Sequence, residues 1–246
     1  MSFENKVAIV TGAGSGIGKA CAVALAQNAA AVVVADLNSE SAQATAAQIN
    51  AAGGVAQAQA LDVAQRSSCA ALVTQTINAY GRIDVLVNCA GISVRQTVLE
   101  MRDEDWHRVI GVNLHGTFYI TSAVAPVMVA QGGGSIILLA SDRALFGLAG
   151  GAHYSASKGA VIAYAKSLAL ELGANGITVN AINPGTTDTP MARGTLTDEE
   201  WQKRWSQDPL GRLSLPEDIA QTVLFLAGPA SRYMTGQLIS TRMRFG

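Results

Sequence analysis

Short apolar runs recur along the chain, and most are followed by a longer stretch whose apolar residues fall at helical spacing. The runs are Lys6 to Thr11, Ala31 to Ala35, Val55 to Leu61, Ile83 to Val87, Ile136 to Ala140, Gly176 to Ile182 and Gln237 to Ser240. Their length, β-branched content and polar or Gly boundaries mark them as strands. Helices are expected from about Lys19 to Asn28, from Ser39 to Ala52 up to Gly53-Gly54, from near Arg66, from Asp103 to Ala130, from Tyr154 through Leu172, and from Pro216, where proline suits the first turn. In the Asp103 to Ala130 stretch, Trp106, Val109, Ile110, Leu114 and Phe118 are the expected core contacts, and Pro126 with Gly132-Gly133-Gly134 marks its end. Strand alternating with helix predicts one α/β domain over residues 1–246, a doubly wound parallel sheet with helices on both faces. The polar stretch 187–209, which carries Trp201 and Trp205, lacks a sheet pattern and is expected to act as a lid over substrate.

Composition narrows the function classes. Hydrophobic residues make up 49% and charged residues 14% of 246 positions, ample for a large core. A formal charge of −1 encodes no attraction to nucleic acid. No apolar run reaches membrane-spanning length, and the N-terminus enters a strand without a signal-peptide pattern, so no membrane partner is expected. Cys21, Cys69 and Cys89 are odd in number and widely spaced, which suits a reducing cytoplasm. Cys89 reads as a small core-lining residue. The three histidines, His107, His115 and His153, show no metal-ligand spacing, so no metal is expected.

The candidate chemistry centres on Ser141 and Tyr154-Ser155-Ala156-Ser157-Lys158. Tyr154 and Lys158 stand four residues apart on one helix and project from the same side. Ser141 follows a strand and faces them from a sheet edge where open α/β folds place ligands. A free tyrosine ionises near ~10, and bringing it towards ~7 needs roughly 4 kcal/mol of differential interaction, which a close, partly desolvated ammonium can largely supply. Such a phenolate takes a proton from an alcohol while hydride leaves the same carbon, and the serine hydroxyl holds the substrate oxygen. Taken alone, Tyr-x-x-x-Lys is as compatible with an exposed helical pair. Asn113 is poorly suited to a helix interior and is read as distorting it and binding a proton-relay water, or as a satisfied polar group.

The remaining chain-end loops read as a cofactor site. Gly12-Ala13-Gly14-Ser15-Gly16-Ile17-Gly18 joins a strand to a helix, where glycines admit a diphosphate to the helix N-terminus. Asp36 ends the second strand, where a carboxylate accepts from an adenosine ribose and repels a 2′-phosphate. Neither Ser15 nor Leu37 offers an offsetting cation, so the cofactor is expected to be NAD. Asp62, beside Val63, either binds the adenine amino group or caps the helix near Arg66. Asn88, Ala90 and Gly91 let a loop backbone lie against a cofactor sugar. Pro184-Gly185 forms a turn, and Thr189, beyond Thr187, can hydrogen-bond a carboxamide.

Together, Thr11-Gly12-x-x-x-Gly16-Ile17-Gly18, Asn88-Cys89-Ala90-Gly91, Asn113, Ser141, Tyr154-x-x-x-Lys158 and Pro184-Gly185 resemble the short-chain dehydrogenase/reductase family across essentially the whole chain. The resemblance implies a Rossmann-type sheet of about seven strands. It implies Tyr154 as general acid/base, Lys158 on the nicotinamide ribose and lowering the tyrosine pKa, Ser141 on the substrate oxygen and Asn113 on the relay water. It also implies a homo-oligomer, tetramer rather than dimer. Two departures stand out: Cys89 replaces the second asparagine of the usual Asn-Asn-Ala-Gly, and the ending with Arg242 and Arg244 lacks the usual Asp-Gly-Gly.

For substrate, Arg95, Arg143, His153 and Arg193 lie on segments that could border the pocket. They suggest a polar or anionic secondary alcohol such as a sugar, polyol or hydroxy acid, although each could equally be a surface residue. The alternatives are a 3-oxoacyl or other carbonyl reductase using NAD(P)H, and a non-catalytic NAD sensor. The complete Ser141, Tyr154 and Lys158 set argues against the sensor.

Overall fold

The computed structural model describes residues 2–194, 196–206, 208 and 210–241, so the C-terminal Arg242 and Arg244 lie outside the described residues. In order the elements are β1 (Val7–Thr11), α1 (Gly16–Gln27), β2 (Ala31–Asp36), α2 (Ser39–Ala51), β3 (Val55–Ala60), α3 (Arg66–Tyr80) and β4 (Val85–Asn88). There follow α4 (Asp103–Ile110), a π-helical turn (Gly111–His115), α5 (Gly116–Gln131), β5 (Gly134–Leu139), α6 (Arg143–Phe146), α7 (Ala152–Leu172) and β6 (Ile177–Asn183). The described chain closes with α8 (Pro190–Arg193), α9 (Asp198–Ser206), α10 (Pro216–Ala227) and β7 (Leu238–Ser240).

Seven strands, counted among the described residues, form one parallel sheet in the order β3-β2-β1-β4-β5-β6-β7. The apolar runs are continuous because both faces of the sheet are covered. Along β1, Ala8 and Val10 point into a core shared with Cys21 and Leu25 of α1 and Ile219 and Val223 of α10. Ile9 points to the opposite core, with Leu72 of α3, Ile120 and Val124 of α5 and Val161 of α7. The period of two is thus resolved into two helix layers.

The order of the strands reverses between β1 and β4, because β1 pairs with β2 on one side and β4 on the other. The carboxyl ends of these strands diverge there and open a crevice, the usual ligand position of such a sheet. At the opposite end, Asp84 binds the strands together. Its carboxylate accepts from the Val7 amide (3.0 Å), Lys6 (3.0 Å) and Arg82 (2.7 and 2.6 Å).

Two expectations for the central helix need correction. Pro126 does not end it, because α5 runs on to Gln131, where Gly132 in the left-handed region stops it. Pro126 is exposed while Val124 and Met128 are buried, so the core side of the helix keeps its hold. Of the five expected core contacts only Val109 is fully buried, and Trp106 and Phe118 are exposed.

Candidate active site

A cleft with a cavity volume of about 690 Å³ runs along the carboxyl ends of the strands. At its floor, Gly12 has φ +63°, a conformation costly for any residue with a side chain, and a Cβ there would stand 2.9 Å from the Ala90 amide nitrogen. The glycine junction therefore lets β1 and the β4 loop pack backbone to backbone. Ser15 is the N-cap of α1, its side chain makes no capping hydrogen bond, and that end of the helix lies along the cleft. An anionic diphosphate fits this cradle.

Asp36 sits where β2 ends. Its Oδ2 accepts from the Gly14 amide at 2.8 Å and its Oδ1 from the Asn38 amide at 2.9 Å. The adjacent helix is capped instead by Asn38, whose side chain accepts from the Ser41 amide at 3.0 Å. Asp36 is thus held rigidly at the cleft wall beside Leu37, with Asp62 and Val63 further along. Asp62 does not cap α3. Its Oδ1 accepts from the Ala64 amide at 2.9 Å, and Gln65 holds the N-cap position.

Asn88 needs correction as a cofactor contact. It is buried away from the cleft lining, its Oδ1 accepting from Thr11 Oγ1 (2.6 Å) and its Nδ2 donating to Thr117 Oγ1 (2.9 Å). Thr11 Oγ1 in turn accepts from the Ala90 amide at 3.1 Å. Asn88 therefore fixes the loop that carries Ala90 and Gly91. In the sequence Thr11 stands out only as the first position of the glycine motif and Thr117 not at all, because their partners lie far along the chain.

Asn113 occupies the π-helical turn and is wholly buried. Its Oδ1 accepts from the Ile92 amide (2.8 Å), and its Nδ2 donates to the Ile92 carbonyl (3.0 Å) and Ser157 Oγ (3.0 Å). It distorts the helix as expected and ties the β4 loop to α7. A Cβ on Gly91 would lie 3.2 Å from Asn113 Oδ1 and 3.4 Å from Lys158 Nζ. A side chain at Gly91 would crowd both groups.

Ser141, Tyr154 and Lys158 all line the cleft. Ser141 Oγ donates to Asp142 Oδ1 at 3.3 Å and accepts from the Arg143 amide at 3.2 Å. Burial pushes the Tyr154 phenol above its ordinary pKa, and a hydrogen bond with Ser141 pulls it back down. Lys158 takes its hydrogen-bond partner from the sheet. Its ammonium donates to the Leu139 carbonyl at 2.7 Å, and burial lowers its own pKa to about 8.

The three arginines expected near the substrate are each paired with a carboxylate. Arg95 and Arg143 line the cleft, but Arg95 pairs with Glu200 at 3.1 Å and Arg143 with Asp142 at 3.4 Å. Arg193 is absent from the lining; it pairs with Asp188 at 2.6 Å and stacks on Trp201 at 4.8 Å. His153 is fully buried behind the site, also off the lining. Ile92, Leu148, Met191 and Leu196 are among the apolar residues that line the cleft with Arg95 and Arg143. Gly12, Ser15, Gly16, Ile17, Gly18, Pro184, Gly185, Thr187 and Thr189 lie along the cleft as expected, although Thr189 Oγ1 accepts from the Ala192 amide as cap of α8.

Sequence comparison agrees with this geometry. The family profile described as "Enoyl-(Acyl carrier protein) reductase" matches residues 12–241. The 3-oxoacyl-[acyl-carrier-protein] reductase FabG of Thermotoga maritima is 41% identical over 239 residues, covering 97% of each chain. This chain belongs to the short-chain dehydrogenase/reductase family. Within that family, the (2S)-[(R)-hydroxy(phenyl)methyl]succinyl-CoA dehydrogenase subunit BbsD of Thauera aromatica is also 41% identical, over 97% of this chain and 96% of its own. A solved short-chain type dehydrogenase/reductase from Mycobacterium ulcerans superposes with a TM-score of 0.93 at 30% identity, over 98% of this chain and 90% of that one. The protein is therefore an oxidoreductase of the nicotinamide-dependent class. No described helix is long and apolar enough to cross a membrane.

Proposed function

We propose that this oxidoreductase interconverts a 3-hydroxyacyl and a 3-oxoacyl thioester with NAD(H). The observation that carries the cofactor choice is Asp36, pinned by two backbone amides at the cleft wall. A 2′-phosphate beside it would meet repulsion on the order of 4 kcal/mol per unit charge pair at about 4 Å and an effective dielectric of about 20. Among the described residues lining that end, Leu37, Asn38 and Val63 supply no cation. The substrate class is supported by the apolar wall of Ile92, Leu148, Met191 and Leu196, and by the engagement of Arg95 and Arg143 with carboxylates. It is further supported by the carrier-linked compounds named for the Thermotoga and Thauera relatives. A free sugar or hydroxy acid finds less to grip here.

In this reading a nicotinamide held in the cleft would supply the hydride chemistry. Ser141 and Tyr154 hydrogen-bond the substrate oxygen, and Tyr154 supplies the proton in reduction or removes it in oxidation. Asn113 holds Ile92, and with it the loop that carries Gly91, beside the cleft. We assign the working unit to a homo-oligomer, tetramer rather than dimer, with no nucleic acid or membrane partner. The test is nicotinamide absorbance during turnover of acetoacetyl-CoA with NADH and NADPH in parallel. NADH is expected to be preferred in kcat/KM by at least about tenfold, equivalent to ~1.4 kcal/mol. A preference for NADPH, or turnover of free sugars with none of the thioester, would overturn the reading.

A further inference from the structure

The three arginines expected near the substrate are bound to the protein in different ways. Arg193 donates from Nε and Nη2 to Asp188 at 2.6 Å each, and Arg95 donates from Nη1 to Glu200 at 3.1 Å. The guanidinium of Arg143 makes no hydrogen bond among the described residues. Its Nε stands 3.4 Å from Asp142 Oδ1 as an ionic contact, and that oxygen already accepts from Ser141 Oγ at 3.3 Å. Both side chains are nearly withdrawn from water, with 12% of Arg143 and 10% of Asp142 exposed, and both residues line the cleft. The Arg143 amide donates to Ser141 Oγ at 3.2 Å, so Arg143 flanks the hydroxyl assigned to the reacting oxygen.

A guanidinium carries N–H donors on all its nitrogens, and donors withdrawn from water are costly unless they find an acceptor. Both Nη groups of Arg143 are such donors. The charge of the pair decides which acceptor suits them. Arg143 and Asp142 sum to zero, so a free carboxylate gains little from the arginine and is repelled by the aspartate. A neutral carbonyl oxygen accepts hydrogen bonds and brings no charge.

We propose that Arg143 is a specificity-determining residue whose Nη groups donate to the thioester carbonyl of the substrate while Ser141 and Tyr154 hold the reacting oxygen. The assignment rests on the thioester reading above and extends it to a second oxygen. In a 3-oxoacyl or 3-hydroxyacyl thioester a single methylene separates the two oxygen-bearing carbons. A donor beside Ser141 therefore reaches the second oxygen when the first is bound. Asp142 holds the guanidinium in place and keeps the pair neutral. A ketone or secondary alcohol with no acceptor at that position leaves the Arg143 donors unpaired, and a site built to donate rejects such an analogue strongly.

The test crosses enzyme with substrate. Acetoacetyl-CoA is compared with S-(3-oxobutyl)-CoA, the thioether in which a methylene replaces the thioester carbonyl, by nicotinamide absorbance with wild type, Arg143→Met and Arg143→Lys. Arg143→Met should lose at least about ten times more kcat/KM with the thioester than with the thioether, the worth of one hydrogen bond from a charged donor. Arg143→Lys keeps a donor and should recover part of that difference. Loss of the guanidinium charge also acts on the Tyr154 phenol, but for both ketones alike, so it cancels in the ratio. Should Arg143→Met fail to fold, Asp142→Asn/Arg143→Met removes both charges together and is judged by the same ratio. Equal losses with the two ketones would overturn the proposal and leave the thioester reading standing. Wild type that reduces neither ketone while oxidising another secondary alcohol would overturn that reading, and the proposal with it.

Discussion

Tyr154 is buried enough for its phenol to hold its proton more tightly than in water, with Ser141 pulling the other way. Tyr154→Phe keeps the ring and removes the proton carrier. We expect kcat to fall by roughly 10²–10⁴, the usual worth of a positioned acid or base, with NAD affinity within a few-fold of wild type, measured by turnover and fluorescence titration. Lys158 makes a separate prediction through pH. Its pKa is lowered from 10.5 to about 8 because burial disfavours its charge. Below about pH 8 the ammonium is charged in both folded and unfolded chains, and the burial penalty is fully present. Between about 8 and 10.5 the unfolded chain binds more protons than the folded one, so this residue's contribution to stability rises with pH. The Tm of Lys158→Met relative to wild type should therefore fall as pH rises through that window; a rise would contradict the assignment. The types and order of these residues were legible in the sequence, because spacing along one helix is local information. The partner of Lys158 was not, since the Leu139 carbonyl belongs to another strand.

At the scale of elements, the π-helical turn is what brings Asn113 inward. Asn113→Ala removes three hydrogen bonds and leaves the Ile92 amide and carbonyl in want of partners. Each buried orphan costs about 1–3 kcal/mol. Thermal unfolding should occur several degrees lower, and kcat should drop as the β4 loop loses its tie to α7. Asparagine in a helical pattern signalled a distortion, and one is present. Asn88 misled for the opposite reason: its motif suggests a ligand, while its hydrogen bonds run to Thr11 and Thr117 on other elements. His153 and Arg193 misled in the same way, because adjacency to Tyr154 or to the lid says nothing of which way a side chain turns. Pro126 was read together with the Gly132 run as marking the helix end; Gly132 does end it, while the buried Val124 and Met128 carry the helix past Pro126.

For the whole molecule, Asp84 is the clasp at the end of the sheet remote from the cleft. Burial raises its pKa, but hydrogen bonds from Arg82, the Val7 amide and Lys6 outweigh that, and the net shift is downward. Its stabilisation is thus present above the unfolded carboxylate value of ~3.9 and is lost as pH falls below it. Asp84→Asn should lower stability at neutral pH by about 1–3 kcal/mol and flatten the acid limb of a denaturation curve, measured in urea. The strand order was foreseeable as a class from strand–helix alternation. The clasp was not, because it joins residues 6, 7, 82 and 84 across a fold that only the finished sheet assembles. That same order bears on how the chain is made. A chain cut short at Tyr80 holds β1, β2 and β3 but not β4, so one long border of β1 lacks its neighbour. Val7 to Thr11 then offers open backbone groups to any other nascent copy close by. A truncated chain that ends between Tyr80 and Val85 should therefore aggregate through that border, as read by light scattering.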